Sequence, residues 1–216
     1  MPDSVFPQFN SCARQIAEAS HTLYSRGWSP ATSSNYSMRL DNLHCAITVS
    51  GKDKGKLTEK DVMVVDLDGK PIPVNNELPN KPSAETLLHT SLYRFDATIG
   101  AVLHTHSVNN TVLTLQQHNT NVFHFDGYEI VKAFSGFATH EERFCVPVFA
   151  NTQHIPDLSA QVGRWLQSAN KPRAYLIRGH GLYTWGKDMP ECFRHLEAME
   201  FLLECEVKRL SLASQK

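Results

Sequence analysis

Two histidines separated by one residue are the first candidates for metal chemistry. His104 and His106 follow an apolar run over residues 99–104 and lead into a polar segment that contains Ser107. Alternate residues of a β-strand point to the same face, so both imidazoles can converge on one ion. The spacing equally fits two histidines at a strand end that are hydrogen-bonded to the backbone.

A third histidine, His180, lies between Gly179 and Gly181 after another apolar run over residues 174–177. Flanking glycines allow a sharp turn and a close backbone approach. Three imidazoles with one open position form a catalytic site that favours Zn²⁺, although Fe²⁺, Co²⁺ or Mn²⁺ also fit. The alternative is a turn histidine packed against Trp185 or Tyr183.

Three short segments combine small hydroxyl side chains, glycine and a predicted helix start. They cover residues 32–35, 50–55 and 82–85. Hydroxyls, free backbone N–H groups and a helix N-terminus form a ready anion site. Three lysines in the second segment either add positive charge or are solvated: Lys52, Lys54 and Lys56. No segment matches a Walker loop or a dinucleotide fingerprint, which argues against nucleotide binding.

Two glutamates are candidates for a base that removes a proton next to a polarised carbonyl. Glu85 lies at the start of a predicted helix, and Glu129 is flanked by apolar residues that would raise its pKa. Each also fits an ordinary surface carboxylate.

Helical and extended patterns alternate along the chain that carries these residues. Helical spacing covers residues 8–26, 108–117 and a long segment after Asp188 and Glu191, and a helix follows Ser83. Residues 29–37 are predicted as a polar loop and 75–82 as a second loop. Short β-like runs at 45–50 and 62–66, the latter followed by Asp68-Gly69, indicate hairpins. We therefore predict one α/β domain over residues 1–216, with a core at about 10–210 and a mixed, mostly antiparallel central sheet flanked by helices.

Composition narrows the partners and the compartment. The 216 residues carry a net charge of −1, which gives no basis for binding nucleic acid or a membrane surface. The five cysteines show no C-x-x-C spacing, and neither a secretion signal nor a membrane-length apolar run is present. These features predict a cytoplasmic protein.

The order of the motifs resembles the class II aldolase/adducin family over about residues 10–210. The matching runs are T-S-S-N-Y-S, S-G-K-D-K-G, P-S-A-E-T, G-A-V-L-H-T-H-S and R-G-H-G-L-Y-T-W-G. Within the family, the second and fourth runs and Y-E-I-V-K-A resemble the dehydratases of methionine salvage, which act on a methylthio sugar phosphate. The alternatives are a sugar-phosphate aldolase or epimerase and, less consistent with three intact histidines, a non-catalytic adducin-like interaction domain.

The resemblance implies roles for individual residues. His104, His106 and His180 match the family's zinc ligands, with one Zn²⁺ per subunit. Glu129 matches the acid/base glutamate of the dehydratases and Glu85 the base of the aldolases. We expect the substrate phosphate to be held by the three polar loops through Ser33, Ser34, Asn35, Ser50, Gly51, Lys52 and Ser83. Aldolases commonly have glycine at the position of Ser34. The resemblance also implies a homotetramer with sites near subunit boundaries.

Overall fold

The computed structural model describes residues 6–74 and 81–213. Five α-helices occur in these ranges: α1 (Phe9–Ser25), α2 (Thr86–Phe95), α3 (Val108–Gln116), α4 (Ile155–Ser168) and α5 (Met189–Ala213). The strands are β1 (Asn35–Arg39), β2 (His44–Thr48), β3 (Val62–Asp66), β4 (Pro71–Ile72), β5 (Ala101–Thr105), β6 (Val122–Phe125), β7 (Phe144–Phe149), β8 (Ala174–Ile177) and β9 (Gly181–Gly186).

The strands of the described residues form one sheet in the order β4-β3-β2-β1-β5-β9-β8-β7-β6. Neighbouring strands are antiparallel except β7 and β8, which run parallel. The β5 strand is fully buried in the middle of this order, which explains its continuous apolar sequence. The predicted α/β class and the mixed, mostly antiparallel sheet are confirmed.

Helices cover both faces of the sheet. One face packs against the apolar sides of α1 and α5 through residues such as Ile16, Leu103 and Leu203. The opposite face packs against α2 and α4 through residues such as Leu92 and Val162. Successive residues of a strand point to opposite faces. Leu103 and His104 of β5 therefore serve different layers, and His104 lies on the side of α2.

Several predicted boundaries differ from the structure. The predicted polar loop at 29–37 is wrong at its end, because β1 begins at Asn35 and pairs with β2 and β5. Ser83 is not the helix N-cap, because residues 83–85 form a preceding turn in which Thr86 N–H bonds the Ser83 carbonyl. Asp188 accepts from the Glu191 N–H at 2.8 Å, as predicted for the start of α5. The predicted loop at 75–82 lies largely outside the described residues.

None of the helices in residues 6–74 and 81–213 combines the length and apolarity that a membrane span requires.

Candidate active site

The end of β5 places two imidazoles beside each other. His104 and His106 are separated by Thr105, and their ring centroids lie 4.6 Å apart. His104 is completely buried and stacks on Tyr183 of β9, with ring centroids 4.1 Å apart and an interplanar angle of 18°. The His106 N–H donates to the Trp28 carbonyl at 2.8 Å, which fixes the backbone just beyond the strand.

The turn between β8 and β9 brings His180 to the same point. Its ring centroid lies 4.6 Å from that of His106 and 5.2 Å from that of His104. Gly181 permits this approach, since a Cβ atom there would lie 2.4 Å from the Thr105 carbonyl oxygen and 2.5 Å from the His104 ring. The alternative packing of His180 on Tyr183 is not what the structure shows, because Tyr183 stacks on His104.

A carboxylate completes the cluster. Glu85, immediately before α2, places Oε1 3.1 Å from His180 Nε2 and Oε2 3.3 Å from His104 Nε2. His104 Nε2 and His106 Nε2 are 2.8 Å apart, and one ligand atom from each of the four residues lies within 4.8 Å of the others. Ligand atoms around a tetrahedral zinc ion at about 2.0–2.1 Å lie about 3.3 Å apart, so the observed spacing fits one small cation.

The protonation states also suit a metal ion. His104 Nδ1 donates to the Leu182 carbonyl at 3.0 Å, which leaves the lone pair on Nε2 facing the cluster. Burial lowers the pKa of His104 to about 4 and that of His106 to about 3, so both are neutral at pH 7. Neutral imidazole is the form that binds metals.

Glu85 is ionised in this setting. Burial raises the pKa of its carboxyl group, but the adjoining His104 and His180 and the Asn35 amide outweigh burial and hold the pKa well below its usual range. Its Oε1 is buried without a hydrogen bond. Such an atom is costly unless it has a further partner, and a divalent cation at the centre of the cluster would supply one.

A buried hydrogen-bond chain holds Glu85 in place. Asn35 Nδ2 donates to Glu85 Oε2 at 2.8 Å, while Asn35 Oδ1 accepts from His89 Nε2 at 2.5 Å. His89 Nδ1 then accepts from Ser37 Oγ at 2.8 Å, and Ser37 Oγ accepts from the Tyr93 hydroxyl at 2.8 Å. The Asn35 oxygen can only accept, so His89 Nε2 must carry the proton of the first of these bonds. His89 Nδ1 is then an acceptor, and this fixes Ser37 and Tyr93 as donors in the remaining two bonds.

The cluster opens into a cavity of about 330 Å³. The three polar loops meet in its wall: an isolated β-bridge joins Val49 to Pro82, and Ser50 N–H donates to the Lys81 carbonyl at 3.1 Å. The sequence-predicted residues that line the cavity are Ser33, Ser34, Asn35, Ser50, Gly51, Ser83, Glu85, His106 and His180. The opposite rim adds Thr152, Gln153 and Ile155, from the segment before α4 and its first residue.

Three predicted site residues do not line this cavity: His104, which is completely buried, Lys52 and Glu129. Lys52 points to the surface, where its Nζ lies 3.0 Å from Asp61 Oδ1. Glu129 is on an exposed 3₁₀ turn (Glu129–Ala133), where it pairs with Lys132 and lies 3.5 Å from His140 Nδ1. The site of a single subunit therefore contains Glu85 but not Glu129.

Two residues at this site were not singled out from the sequence. Lys54 lines the cavity, although it has the same residue type as the more exposed Lys52 and Lys56. His89 anchors Asn35. A signal for His89 was present, because residues four apart on a helix share a face and His89 follows Glu85 at that spacing.

Comparison with known proteins identifies the family. The sequence profile described as the class II aldolase and adducin N-terminal domain matches residues 14–207. The chain belongs to the class II aldolase and adducin family. Members include chains named methylthioribulose-1-phosphate dehydratase: one from Marinobacter nauticus is 51% identical and covers 94% of this chain and 96% of its own length. One from Pseudomonas aeruginosa is 53% identical, with coverage of 93% and 95%.

Solved structures show the same fold. An L-fuculose-1-phosphate aldolase from Thermus thermophilus superposes with a TM-score of 0.68 at 23% identity, covering 96% of this chain and 97% of its own. A sugar-phosphate aldolase from Thermotoga maritima gives a TM-score of 0.65 at 18% identity, with coverage of 93% and 95%. The histidine-lined cavity thus lies in the class II aldolase fold.

Proposed function

We propose that this protein is a methylthioribulose-1-phosphate dehydratase, a lyase of methionine salvage. It would convert 5-methylthioribulose 1-phosphate into 2,3-diketo-5-methylthiopentyl 1-phosphate and water. The observation that carries this proposal is the identity of 51–53% to proteins of that name across nearly their whole length. The cavity supports it, because residues of the histidine and glutamate cluster and of the three polar loops share its wall.

Zinc is the metal we propose, held by His104, His106, His180 and Glu85. Three imidazoles with a carboxylate are typical of zinc, and the Glu85 position is the one that a substrate oxygen would share or take. Bound zinc would polarise the C2 carbonyl and make the proton on C3 more acidic.

The protein must then move one proton and release one hydroxyl group. A carboxylate takes the proton from C3, and the hydroxyl on C4 leaves with a proton as water. The resulting enol becomes the 2,3-diketone when C4 is protonated. Ser33, Ser34, Ser50, Gly51 and Ser83 would hold the phosphate and so fix C3 against the base.

Glu129 remains our proposed base, acting in the site of a neighbouring subunit. Its carboxylate is exposed, whereas Glu85 is engaged with His104, His180 and Asn35. An oligomer is favoured by the exposed apolar side chains of Val108, Val112 and Leu115, which follow His106 along α3. Residues at this spacing share a helix face, and such faces mark protein contacts. We propose a homotetramer, as the family resemblance implies.

The five cysteines are free, which suits a reducing compartment such as the cytoplasm. The small-molecule substrate is the partner we propose, and the net charge of −1 gives no argument for binding nucleic acid.

NMR identification of the product tests the proposed function. Incubation of the protein with 5-methylthioribulose 1-phosphate should give a diketone with a methylene at C4 and a mass lower by one water. In D₂O, deuterium should enter C4. A chelator should abolish turnover, and added Zn²⁺ should restore it.

Other products would identify the rival activities of this fold. Release of dihydroxyacetone phosphate would show aldol cleavage between C3 and C4, and a diastereomer of unchanged mass would show epimerisation. Either result without loss of water would overturn the proposal.

A further inference from the structure

Lys54 is a buried lysine in the wall of the candidate active site. Lys54 is only 1% exposed, yet it lines the same cavity as Ser33, Ser50 and His106. Among the described residues that line this cavity, Lys54 supplies the one lysine or arginine side chain.

The Lys54 ammonium connects two of the polar loops. Its Nζ donates to the Lys52 carbonyl at 2.8 Å and to the Thr32 carbonyl at 3.4 Å. An ammonium group has three N–H donors. Within residues 6–74 and 81–213, it makes no further hydrogen bond and has no carboxylate within ion-pair distance. One donor is therefore available beside the hydroxyls of the loops.

Burial of this charge is unfavourable in the isolated protein. Loss of hydration lowers the pKa of Lys54 to about 8, although Asp53 and Asp61 oppose the change from a distance. A buried cation is normally balanced by an anion that contacts it. Since the described part of the chain supplies none at Nζ, a bound anionic ligand would provide the balancing charge.

The surrounding backbone holds Lys54 rigidly. Asp53 Oδ1 accepts from the Gly55 N–H at 2.9 Å, and the Lys54 carbonyl accepts from Ser20 Oγ at 2.7 Å. Gly55 packs so closely on α1 that a Cβ atom would lie 2.6 Å from the Tyr24 ring. The ammonium is thus held in position before a ligand arrives.

The neighbouring lysines provide natural controls. Lys52 has a side chain that is 49% exposed and already forms an ion pair with Asp61. Lys56 has a side chain that is 86% exposed and lies 4.0 Å from Asp53. Neither lines the cavity. The three lysines share one short segment but differ in whether their charge faces the site.

We propose that the Lys54 ammonium is the cationic group of an anion subsite in this cavity and binds the phosphate of the substrate together with the loop hydroxyls. The identification of that phosphate as part of a methylthio sugar phosphate rests on the proposed function. Lys52, which the sequence predicted for this role, instead stabilises the loop from outside.

Binding of inorganic phosphate to the intact, metal-loaded protein tests this assignment by calorimetry. Lys54→Met should weaken phosphate binding at least tenfold, and Lys54→Arg should retain part of the affinity. Lys52→Met and Lys56→Met should change it by less than about threefold, since surface charges are screened. Equal affinity in Lys54→Met and the unaltered protein, or an equal loss in Lys52→Met, would overturn the assignment.

A measurement on the unaltered protein covers the case in which Lys54→Met does not fold. Buried ammonium groups give resolved ¹⁵Nζ signals, and comparison with Lys54→Arg assigns that of Lys54. Phosphate should shift this signal and leave those of Lys52 and Lys56 in place. A Lys54 signal that stays unchanged at saturating phosphate contradicts the proposal.

The activity assay separates the two proposals. If the unaltered protein dehydrates the methylthio sugar phosphate, Lys54→Met should raise KM at least tenfold, with a smaller effect on kcat. An unchanged KM would then refute the Lys54 role alone. If the unaltered protein does not react with that sugar, the proposed function fails, while the phosphate titration still decides the role of Lys54.

Discussion

Glu200 on α5 is a buried carboxyl group with a consequence for stability. The residue is 2% exposed, and burial raises its pKa to about 7, although the nearby Ser107 and Thr105 hydroxyls act to lower it. An unfolded chain returns this group to an ordinary pKa of about 4.3. Between these two values the folded protein binds the proton and the unfolded chain does not, so stability falls as the pH rises through this range.

Glu200→Gln should remove this dependence. The difference in unfolding free energy between the variant and the unaltered protein should grow by about 2 kcal/mol in favour of the variant from pH 5 to pH 8. The reason is that glutamine has no charge to bury. Urea denaturation at both pH values measures the difference. Glu204→Gln, on the same helix, is the comparison and should change the pH dependence far less, because the Glu204 charge is only the smallest of the causes that act on Glu200. Parallel pH profiles for Glu200→Gln and the unaltered protein would contradict the raised pKa.

The roles of single residues were predictable where they depend on local sequence. His104 lies in the buried strand β5 and His106 just beyond it, and His180 lies between glycines, so the local chain geometry allows the three imidazoles to converge. Lys54 could not be distinguished from Lys52 in this way. The burial of Lys54 depends on the loop that folds over its ammonium group. That loop contributes the Thr32 carbonyl, which is 22 positions away in the sequence.

The loop that leads into β1 has an unusual backbone. Ser34 has φ 71°, in the left-handed region that disfavours residues with a Cβ atom. The glycine that the family resemblance predicts at this position adopts such a conformation without that penalty. The predicted polar loop extended too far because β1 is rich in polar residues: Asn35 and Ser37 are buried in the Glu85 hydrogen-bond chain, which no local pattern reveals.

Ser34→Gly should therefore be tolerated. Relief of the backbone strain, about 1 kcal/mol, offsets the larger entropy that glycine gives the unfolded chain. We expect an unfolding free energy within about 0.5 kcal/mol of the unaltered protein, or slightly higher. Ser34→Val should lose about 2 kcal/mol, because a β-branched side chain fits this region poorly. Thermal unfolding measures both.

Ser33→Gly is the matched control, since Ser33 lies outside the positive-φ residues. It should lose at least about 0.5–1 kcal/mol, because glycine gives the unfolded chain more entropy and the hydrogen bond from Ser33 Oγ to the Pro30 carbonyl is removed. If Ser34→Gly lost as much as Ser33→Gly, the strain at Ser34 would not be real.

The overall architecture was predictable from the apolar runs and hairpin signals, but the edge of the sheet formed by β7 and β6 was not. β6 alternates exposed and partly buried residues and ends on the buried Phe125, and β7 contains Pro147, so neither gives a strong strand signal. The parallel pairing of β7 with β8 depends on α4 as a crossover, which the sequence pattern did not single out. The turn that carries Glu129 lies between β6 and β7 in the chain. Because neither strand was predicted, the position of Glu129 relative to the histidine cluster could not be predicted.

In the homotetramer that we propose, the arrangement of subunits would decide whether Glu129 reaches a site, and paired variants can test this. Glu129→Gln alone should keep bound metal and lose most turnover, while His104→Ala alone should lose both metal and turnover. In an oligomer refolded from equal amounts of the two variants, a subunit with intact His104 can receive Glu129 from its neighbour. About a quarter of the sites would then be complete if subunits mix at random.

Recovered turnover near that fraction, in mixed oligomers verified by native mass spectrometry, is the result expected for action between subunits. If Glu129 acted within its own chain, every site would carry one defect and the mixture would stay as inactive as its parts. Mixtures of Glu129→Gln with the unaltered protein provide the reference for subunit exchange. High activity of Glu129→Gln by itself would exclude Glu129 as the base and leave that role to Glu85, which the structure already places against the imidazoles.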